Sequence, residues 1–299
     1  MLQSRATVPF HKYRFSMSFS HPSGAEVADI VCGVGRAVLG EGLQSDIQIK
    51  RDGSFVTDHD HDIQTRLYEL LHARWPEISF LAEEMSDTEQ TEVITTAERF
   101  WCLDPLDGTT NFTSGLPFYG ISLAFMEQGV ASLGIIFDPI RDECFLANAG
   151  GGAFLNGRPL KTTQATRSLH CIACVDFKRL ARTLSEHLVA RPPYKSQRNL
   201  GACVLEWCWL AANRFQLYLH GGQKLWDYAA GNLILREAGG SAVTLDGSPI
   251  PGKDQFKSRK ISVVAASNPA LLDDWLSWIH DRADLYNLLL NAKGAPSTS

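Results

Sequence analysis

The residues best equipped for chemistry lie in the run Trp101-Cys102-Leu103-Asp104-Pro105-Leu106-Asp107-Gly108-Thr109-Thr110-Asn111-Phe112. Asp104 and Asp107 stand three positions apart with a proline between them, and apolar, strand-like runs lie on both sides. Carboxylates this close in a core must each be paired, hydrogen-bonded or metal-bound, because an uncompensated buried charge is costly. A hard divalent cation would relieve their repulsion and use both oxygens. Asp-Pro and Asp-Gly are also ordinary turn dipeptides, and taken alone the stretch reads as a plain turn. Two further acidic points change that reading. Glu83-Glu84 ends a strand-like run at 78–82, and Asp227 follows Trp226 at the start of a helix-like run. Acidic groups at strand ends and helix starts in three distant segments form the pattern of a cation cage that only folding assembles.

The elements that must position these groups follow from periodicity and punctuation. A helical stripe of Ala25, Ile30, Val31, Val34 and Val38 predicts a helix over 25–43, weakened at its end by Gly40 and Gly42. A strand is expected at 47–50 and a turn at Asp52-Gly53. Thr57 or Asp58 caps a helix over 59–74 with Ile63, Leu67, Leu70 and Leu71 on its apolar face, stopped by Pro76. Asp60 falls in its first turn, where a carboxylate is favourable on dipole grounds alone. Residues 85–98 are polar and read as a surface loop or a lid. A strand is expected at 100–103, ending in the central run, and strands at 119–126, 131–138 and 143–147 form an antiparallel meander, with a hairpin turn at Asn156-Gly157. Gly150-Gly151-Gly152 has no following Lys-Ser or Lys-Thr, so it reads as a tight turn or close strand approach and not as a phosphate loop. Beyond a polar stretch near 162–170 come strands at 171–175 and 214–219, helices at 180–189, 201–212 and 228–237, strands at 241–245 and 261–265, and a last helix at 268–280, which 282–290 either continue or pack beside. Residues 220–224 are expected as a loop. Helices alternating with sheets imply a layered α+β fold. The reading is of a flexible leader at 1–20, an N-terminal α+β subdomain at 21–165 carrying most of the acidic cluster, and a C-terminal α/β subdomain at 166–290 carrying Asp227.

Composition bounds the function. With 44% apolar and 20% charged residues in 299, the chain is an ordinary soluble globular protein with enough length for a large core. The net charge of −5 argues against nucleic acid or an acidic membrane surface as partner, yet allows a small phosphorylated substrate once bound cations reverse the local sign. No apolar run approaches the roughly 18 residues of a membrane span. Seven cysteines, an odd number, suggest reduced thiols and a cytoplasmic location. Cys171 and Cys174 form a lone CxxC with no matching second pair, which a zinc knuckle would need.

Four pieces of sequence together carry a resemblance: Val56-Thr57-Asp58-His59-Asp60, Ala82-Glu83-Glu84, the run from Asp104 to Phe112, and Trp226-Asp227-Tyr228-Ala229-Ala230-Gly231. In this order and at these intervals, the chain resembles the inositol monophosphatase family of Mg-dependent, lithium-sensitive phosphatases, over roughly residues 25–275. The resemblance implies a five-layered αβαβα sandwich and a homodimer. It also implies two or three Mg²⁺ ions per active site, held by Glu83, Asp104, the Leu106 carbonyl, Asp107 and Asp227. Asp60, Glu83 and Thr109 are implied as the groups that orient or activate water, and Gly108 and Thr109 as the holders of phosphate. The implied activity is hydrolysis of a small phosphate monoester by metal-activated water. Oxygen-only ligands suit Mg²⁺ better than zinc.

Specificity is where the chain departs from that pattern. At the place of a glutamate that receives inositol hydroxyls in the animal enzymes stands His220, followed by Gly221-Gly222-Gln223-Lys224. That puts myo-inositol 1-phosphate in question and leaves histidinol phosphate and fructose 1,6-bisphosphate open. Thr110-Asn111 is not the Lys-Glu of the bisphosphate nucleotidase branch. His220, Glu206 and Arg198 are candidates for the substrate pocket. Glu206 equally suits a buried capping network, and Arg198 equally suits the surface or a subunit contact. Lys50 is either a cationic screen at the pocket mouth or a solvated side chain. Trp226 reads as core packing behind Asp227, with stacking on the substrate as the alternative. A non-catalytic metabolite-binding protein on the same scaffold is the competing class.

Overall fold

A computed structural model describes residues 21–40, 47–49, 55–163, 167–251 and 260–293. The leader at 1–20, the Asp52-Gly53 turn and Lys50 lie outside the described residues. The chain runs α1 (Gly24–Leu39), β1 (Ile47–Ile49), β2 (Phe55–Thr57), α2 (Asp58–Arg74), β3 (Ser79–Ala82), α3 (Asp87–Thr96), β4 (Arg99–Asp107), α4 (Thr109–Thr113) and β5 (Gly120–Glu127). It continues through β6 (Val130–Asp138), β7 (Glu143–Asn148), β8 (Gly152–Leu155), β9 (Arg158–Leu160), β10 (Ile172–Asp176), α5 (Arg182–Ala190), β11 (Ser196–Arg198) and α6 (Cys203–Ala211). The last elements are β12 (Leu217–Gln223), α7 (Leu225–Glu237), β13 (Ser241–Thr244), β14 (Ile261–Ala266) and α8 (Pro269–Lys293).

Two sheets organise the molecule. Strands β3 to β9 form one of seven strands in sequence order, with β3 parallel to β4 and every later pair antiparallel. The second sheet has the order β11-β10-β12-β14-β13. The seven-stranded sheet is buried on both faces, and side-chain alternation sorts its residues between them. Trp101, Leu103, Leu123, Phe125, Ile135 and Phe137 face Val27 and Val31 of α1 and Ile63, Leu67 and Leu71 of α2. Phe100, Cys102, Met126, Ile136 and Phe145 face Leu205 and Trp207 of α6 and Ala230 and Ile234 of α7. The same two helices meet Tyr218, Val263 and Ala265 of the second sheet. Its opposite face, with Val175, Leu217, Leu219 and Val264, is covered by Leu184 and Leu188 of α5 and Leu271 and Trp275 of α8. The layers are therefore α1/α2, sheet, α6/α7, sheet, α5/α8, an α+β sandwich of αβαβα order.

Several elements differ from the sequence expectation. Strand β4 continues through Asp107 instead of ending at Leu103, with its register shifted between Asp104 and Asp107. Such a bulge re-aims side chains, and it puts both acids at the strand end. Strand β12 likewise runs on to Gln223, with a register shift between His220 and Gln223, where a loop was expected. The last helix runs to Lys293, so 282–290 continue it, one of the two arrangements expected. Residues 85–98 hold a helix, α3, and not a bare loop or lid. The Ser86 and Glu89 side chains form its capping box: Glu89 Oε2 accepts from the Ser86 N–H at 2.9 Å, and Ser86 Oγ accepts from the Glu89 N–H at 3.4 Å. The Ser-x-x-Glu signature was legible, but no strong apolar stripe follows it. The cysteines of the CxxC fall on opposite faces of the second sheet, Cys174 with the middle helices and Cys171 with α5 and α8. All seven cysteines are free thiols. Among the described residues no helix is long and apolar enough to cross a membrane.

The α3 assignment makes a direct prediction. Ser86→Ala removes the cap and should lower unfolding stability by about 1 kcal/mol, with faster amide exchange confined to the first turns of α3. Unchanged exchange there would show that the cap does not hold the helix.

Candidate active site

The acidic groups arrive from separate elements. Glu83 follows the parallel strand β3, and its N–H donates to the Leu103 carbonyl of β4 at 3.2 Å. Asp104 and Asp107 sit at the bulged end of β4, and Asp227 lies in the first turn of α7. Gly108 joins β4 to α4 at φ 86°, a left-handed conformation that favours glycine. A Cβ there would lie 2.9 Å from Ala202 Cβ and 3.0 Å from the Phe118 carbonyl, so the turn is closed to larger residues by both dihedral and space.

Glu83, Asp104, Leu106, Asp107, Gly108, Thr109 and Asp227 line one cavity of about 220 Å³. Each Asp is oriented by the backbone. Asp104 Oδ1 accepts from the Leu106 N–H at 3.2 Å, Asp107 Oδ2 from Val204 of α6 at 2.7 Å, and Asp227 Oδ2 from Lys224 at 2.8 Å. Thr109 Oγ donates to the Leu106 carbonyl at 2.9 Å and approaches Asp60 Oδ1 at 3.5 Å. Asp60 is buried behind the cavity wall. It caps α2, its Oδ2 accepting from the Thr57 N–H at 2.8 Å and the Thr57 hydroxyl at 2.6 Å.

The electrostatics of the cluster are those of crowded acids. Burial, followed by the charges of Glu83, Asp107, Asp227 and Asp60, pushes the Asp104 carboxyl well above its usual range. Asp227 moves the same way, through burial and then Asp107 and Glu83. Asp107 is pushed up to about 7, chiefly by burial, with the Val204 N–H opposing. As the side chains stand, among the described residues no group of three or more His, Cys, Asp or Glu is drawn together tightly enough to hold a metal ion. The donor chemistry nevertheless fits a hard cation: the groups are oxygen-only and mutually repelling, and they are desolvated on one cavity wall.

The three pocket candidates separate. His220 lines the cavity. Glu206 does not: it is buried, and Oε1 accepts from the Leu200 and Gly201 N–H groups at 3.0 and 3.2 Å, so it caps the chain entering α6. Arg198 is also off the cavity. It is exposed, and its guanidinium donates to Ser196 Oγ and the Gln197 carbonyl. Trp226 is buried yet reaches the cavity with one face, where Lys224 Nζ lies 4.9 Å from the ring centroid. The sequence reading missed Arg179, Cys203 and Lys260, which also line the cavity. Only contact across the fold reveals them, since none sits in a motif.

Comparison with known proteins decides the family. The inositol monophosphatase family model matches residues 25–282. The chain belongs to the inositol monophosphatase family. Inositol-1-monophosphatase of Mesorhizobium japonicum is 32% identical over 234 residues, which is 77% of this chain and 84% of the relative. The extragenic suppressor protein suhB of Bartonella henselae superposes with a TM-score of 0.74 at 27% identity, covering 85% of this chain and 97% of that one. An IMPase/NADP phosphatase solved with Mg²⁺ and phosphate superposes with a TM-score of 0.72 at 25% identity, covering 85% and 92%. In this family member the αβαβα layers bring all four conspicuous acids to one cavity.

His220 offers a pH test. Its Nδ1 accepts from the Gly222 N–H at 3.2 Å, so the proton of the neutral ring sits on Nε2, 3.2 Å from Asp176 Oδ2. Burial holds His220 down to about 4, and Arg179 and Lys260 reinforce it against the opposing pull of Asp176. Between about pH 4 and 6.5 the unfolded chain binds the extra proton and the folded one does not. The contribution is therefore fully present above pH 6.5 and is lost as pH falls toward 4. Urea unfolding from pH 7 to 4.5 should show wild type losing about 2 kcal/mol more than His220→Gln. Parallel curves would show that His220 is not held neutral.

Proposed function

We propose that this chain hydrolyses a small phosphate monoester with Mg²⁺ as cofactor, two or three ions per site. The observation that carries this reading is the convergence of Glu83, Asp104, Asp107 and Asp227 on one cavity beside Gly108 and Thr109. A similar fold has been solved with Mg²⁺ and phosphate bound. Glu83, Asp104, the Leu106 carbonyl, Asp107 and Asp227 would hold the ions. Bound Mg²⁺ would offset the phosphoryl charge, make water acidic enough to attack and stabilise the leaving alkoxide.

The chain's own groups handle orientation. Gly108, the N-cap of α4, and Thr109, its first residue, line the cavity, and their backbone N–H groups have no intrahelical acceptor, so a phosphoryl oxygen bound there could accept from them. Thr109 Oγ, already donating toward Leu106 O with Asp60 nearby, can accept a hydrogen from water and pass its own hydrogen toward Asp60. That fixes the direction of a water lone pair toward phosphorus. Glu83, on the same wall, is the second candidate for taking the water proton. The backbone donors to Asp107 and Asp227 hold those carboxylates in place before substrate arrives.

A non-catalytic role on the same scaffold is the competing reading, and similarity to suhB keeps it in view. The presence of every acid together with Thr109 favours catalysis. Phosphate release from a panel of phosphomonoesters, with and without Mg²⁺, tests this. Asp104→Asn should lower kcat/KM by about 10³-fold, since the electrostatic contribution amounts to several kcal/mol. Thr109→Ala should cost about 10²-fold and Thr109→Ser much less, because the hydroxyl is what acts. Mg²⁺-independent release, or equal loss in the two Thr109 variants, would contradict the mechanism.

A further inference from the structure

The cavity that holds the four carboxylates is also lined by basic residues. Arg179, His220, Lys224 and Lys260 line the same space as the four carboxylates. They come from the turn after β10, the bulged end of β12, the N-cap of α7 and the start of β14, so four segments contribute one basic residue each, three of them cations and the fourth the neutral His220. Among the described residues no carboxylate forms an ion pair with Lys224 or Lys260. Arg179 Nε approaches Asp176 Oδ2 at 3.6 Å, but that same oxygen is held at 3.2 Å by His220 Nε2. One carboxylate therefore serves two groups, and the basic residues keep an excess of positive charge.

The backbone is shaped to place these groups. At Gly221 an added Cβ would lie 1.8 Å from the Arg179 carbonyl oxygen, so the turn carrying Arg179 rests directly on the bare strand. At Gly222 a Cβ would sit 3.6 Å from Lys260 Cβ and Cδ and 3.9 Å from Arg179 Cδ. The Gly221-Gly222 pair is the floor over which the stems of Arg179 and Lys260 run side by side. Neutral His220, fixed by the Gly222 N–H and Asp176, closes that floor and offers no second acid.

We infer that the alcohol half of the substrate carries a second anionic group, a carboxylate or a second phosphate, received by Arg179 and Lys260 above the Gly221-Gly222 floor. This rests on the phosphatase reading above and narrows it. The cation sites take the scissile phosphate, so the basic residues of the same cavity are left for the leaving group. Their guanidinium and ammonium groups match an anion and would repel an aminium group such as that of histidinol phosphate. A neutral polyol would offer these two solvent-accessible cations no charge-assisted hydrogen bond.

Two matched pairs test it, each with Mg²⁺: 3-phosphoglycerate against glycerol 1-phosphate for the carboxylate, and fructose 1,6-bisphosphate against fructose 1-phosphate for the second phosphate. Wild type should favour the anionic member of one pair by about 30-fold in kcat/KM, the scale of a charge-assisted hydrogen bond or two. In Arg179→Ala/Lys260→Ala that ratio should fall toward one, and Arg179→Lys/Lys260→Arg should restore most of it. Which pair responds identifies the anion. Ratios near one in wild type, or a ratio unmoved in the double alanine variant, would overturn the inference while leaving phosphatase activity standing. Should no ester turn over, the phosphatase reading fails. The same pairs titrated calorimetrically, with Ca²⁺ in place of Mg²⁺, then decide the inference alone: tighter binding of an anionic member supports it, and equal binding overturns it.

Discussion

Four carboxylates, three of them on β4 and α7 and one just after β3, line a single cavity, where burial and then mutual repulsion push the Asp104, Asp107 and Asp227 carboxyls up. That repulsion is the constraint around which the molecule is built. Isolated acids in a packed interior would be driven out or neutralised. Here the surrounding layers hold them in. The parallel pairing of β3 with β4 sets Glu83 against Leu103, the bulge in β4 turns Asp104 and Asp107 to one end, and α7 is wedged between the two sheets with Asp227 in its first turn. Much of the core serves to make those positions non-negotiable.

The middle helices are what unite the two sheets chemically. Helix α6 supplies the Val204 N–H that fixes Asp107, and the chain leading into it is capped by buried Glu206. Glu206, whose carboxyl is pushed up chiefly by burial, thus acts on the site through the backbone and not by touching substrate. Arg214 adds a second tie across the layers. Its guanidinium is paired with Glu143 of β7 and lies 4.8 Å from the Trp209 ring centroid.

Much of this was legible in the sequence, for identifiable reasons. Asp104, Asp107, Glu83 and Asp227 could be singled out because charged residues at the ends of apolar runs are costly unless used. Most strands and helices could be placed because their apolar residues keep period 2 or 3.6. What could not be read was anything set by packing between distant segments. Arg198 looked like a pocket residue and lies outside, whereas Arg179 and Lys260 carry no local signal and line the cavity. Gly221-Gly222 suggested a loop, but a bulged strand holds them, since the requirement there is close passage of the Arg179 carbonyl and not a turn. The polarity of 85–98 concealed a helix whose capping residues were present but whose buried residues are only Gln90 and Ile94.

The central claim is that these carboxylates form a divalent-cation site, and the most direct measurement is crystallographic. Crystals grown with Mn²⁺ and inorganic phosphate should show anomalous peaks between Glu83, Asp104, the Leu106 carbonyl, Asp107 and Asp227, with phosphate against the Gly108 and Thr109 N–H groups. Peaks elsewhere, or a cavity without anomalous signal at saturating Mn²⁺, would contradict the account.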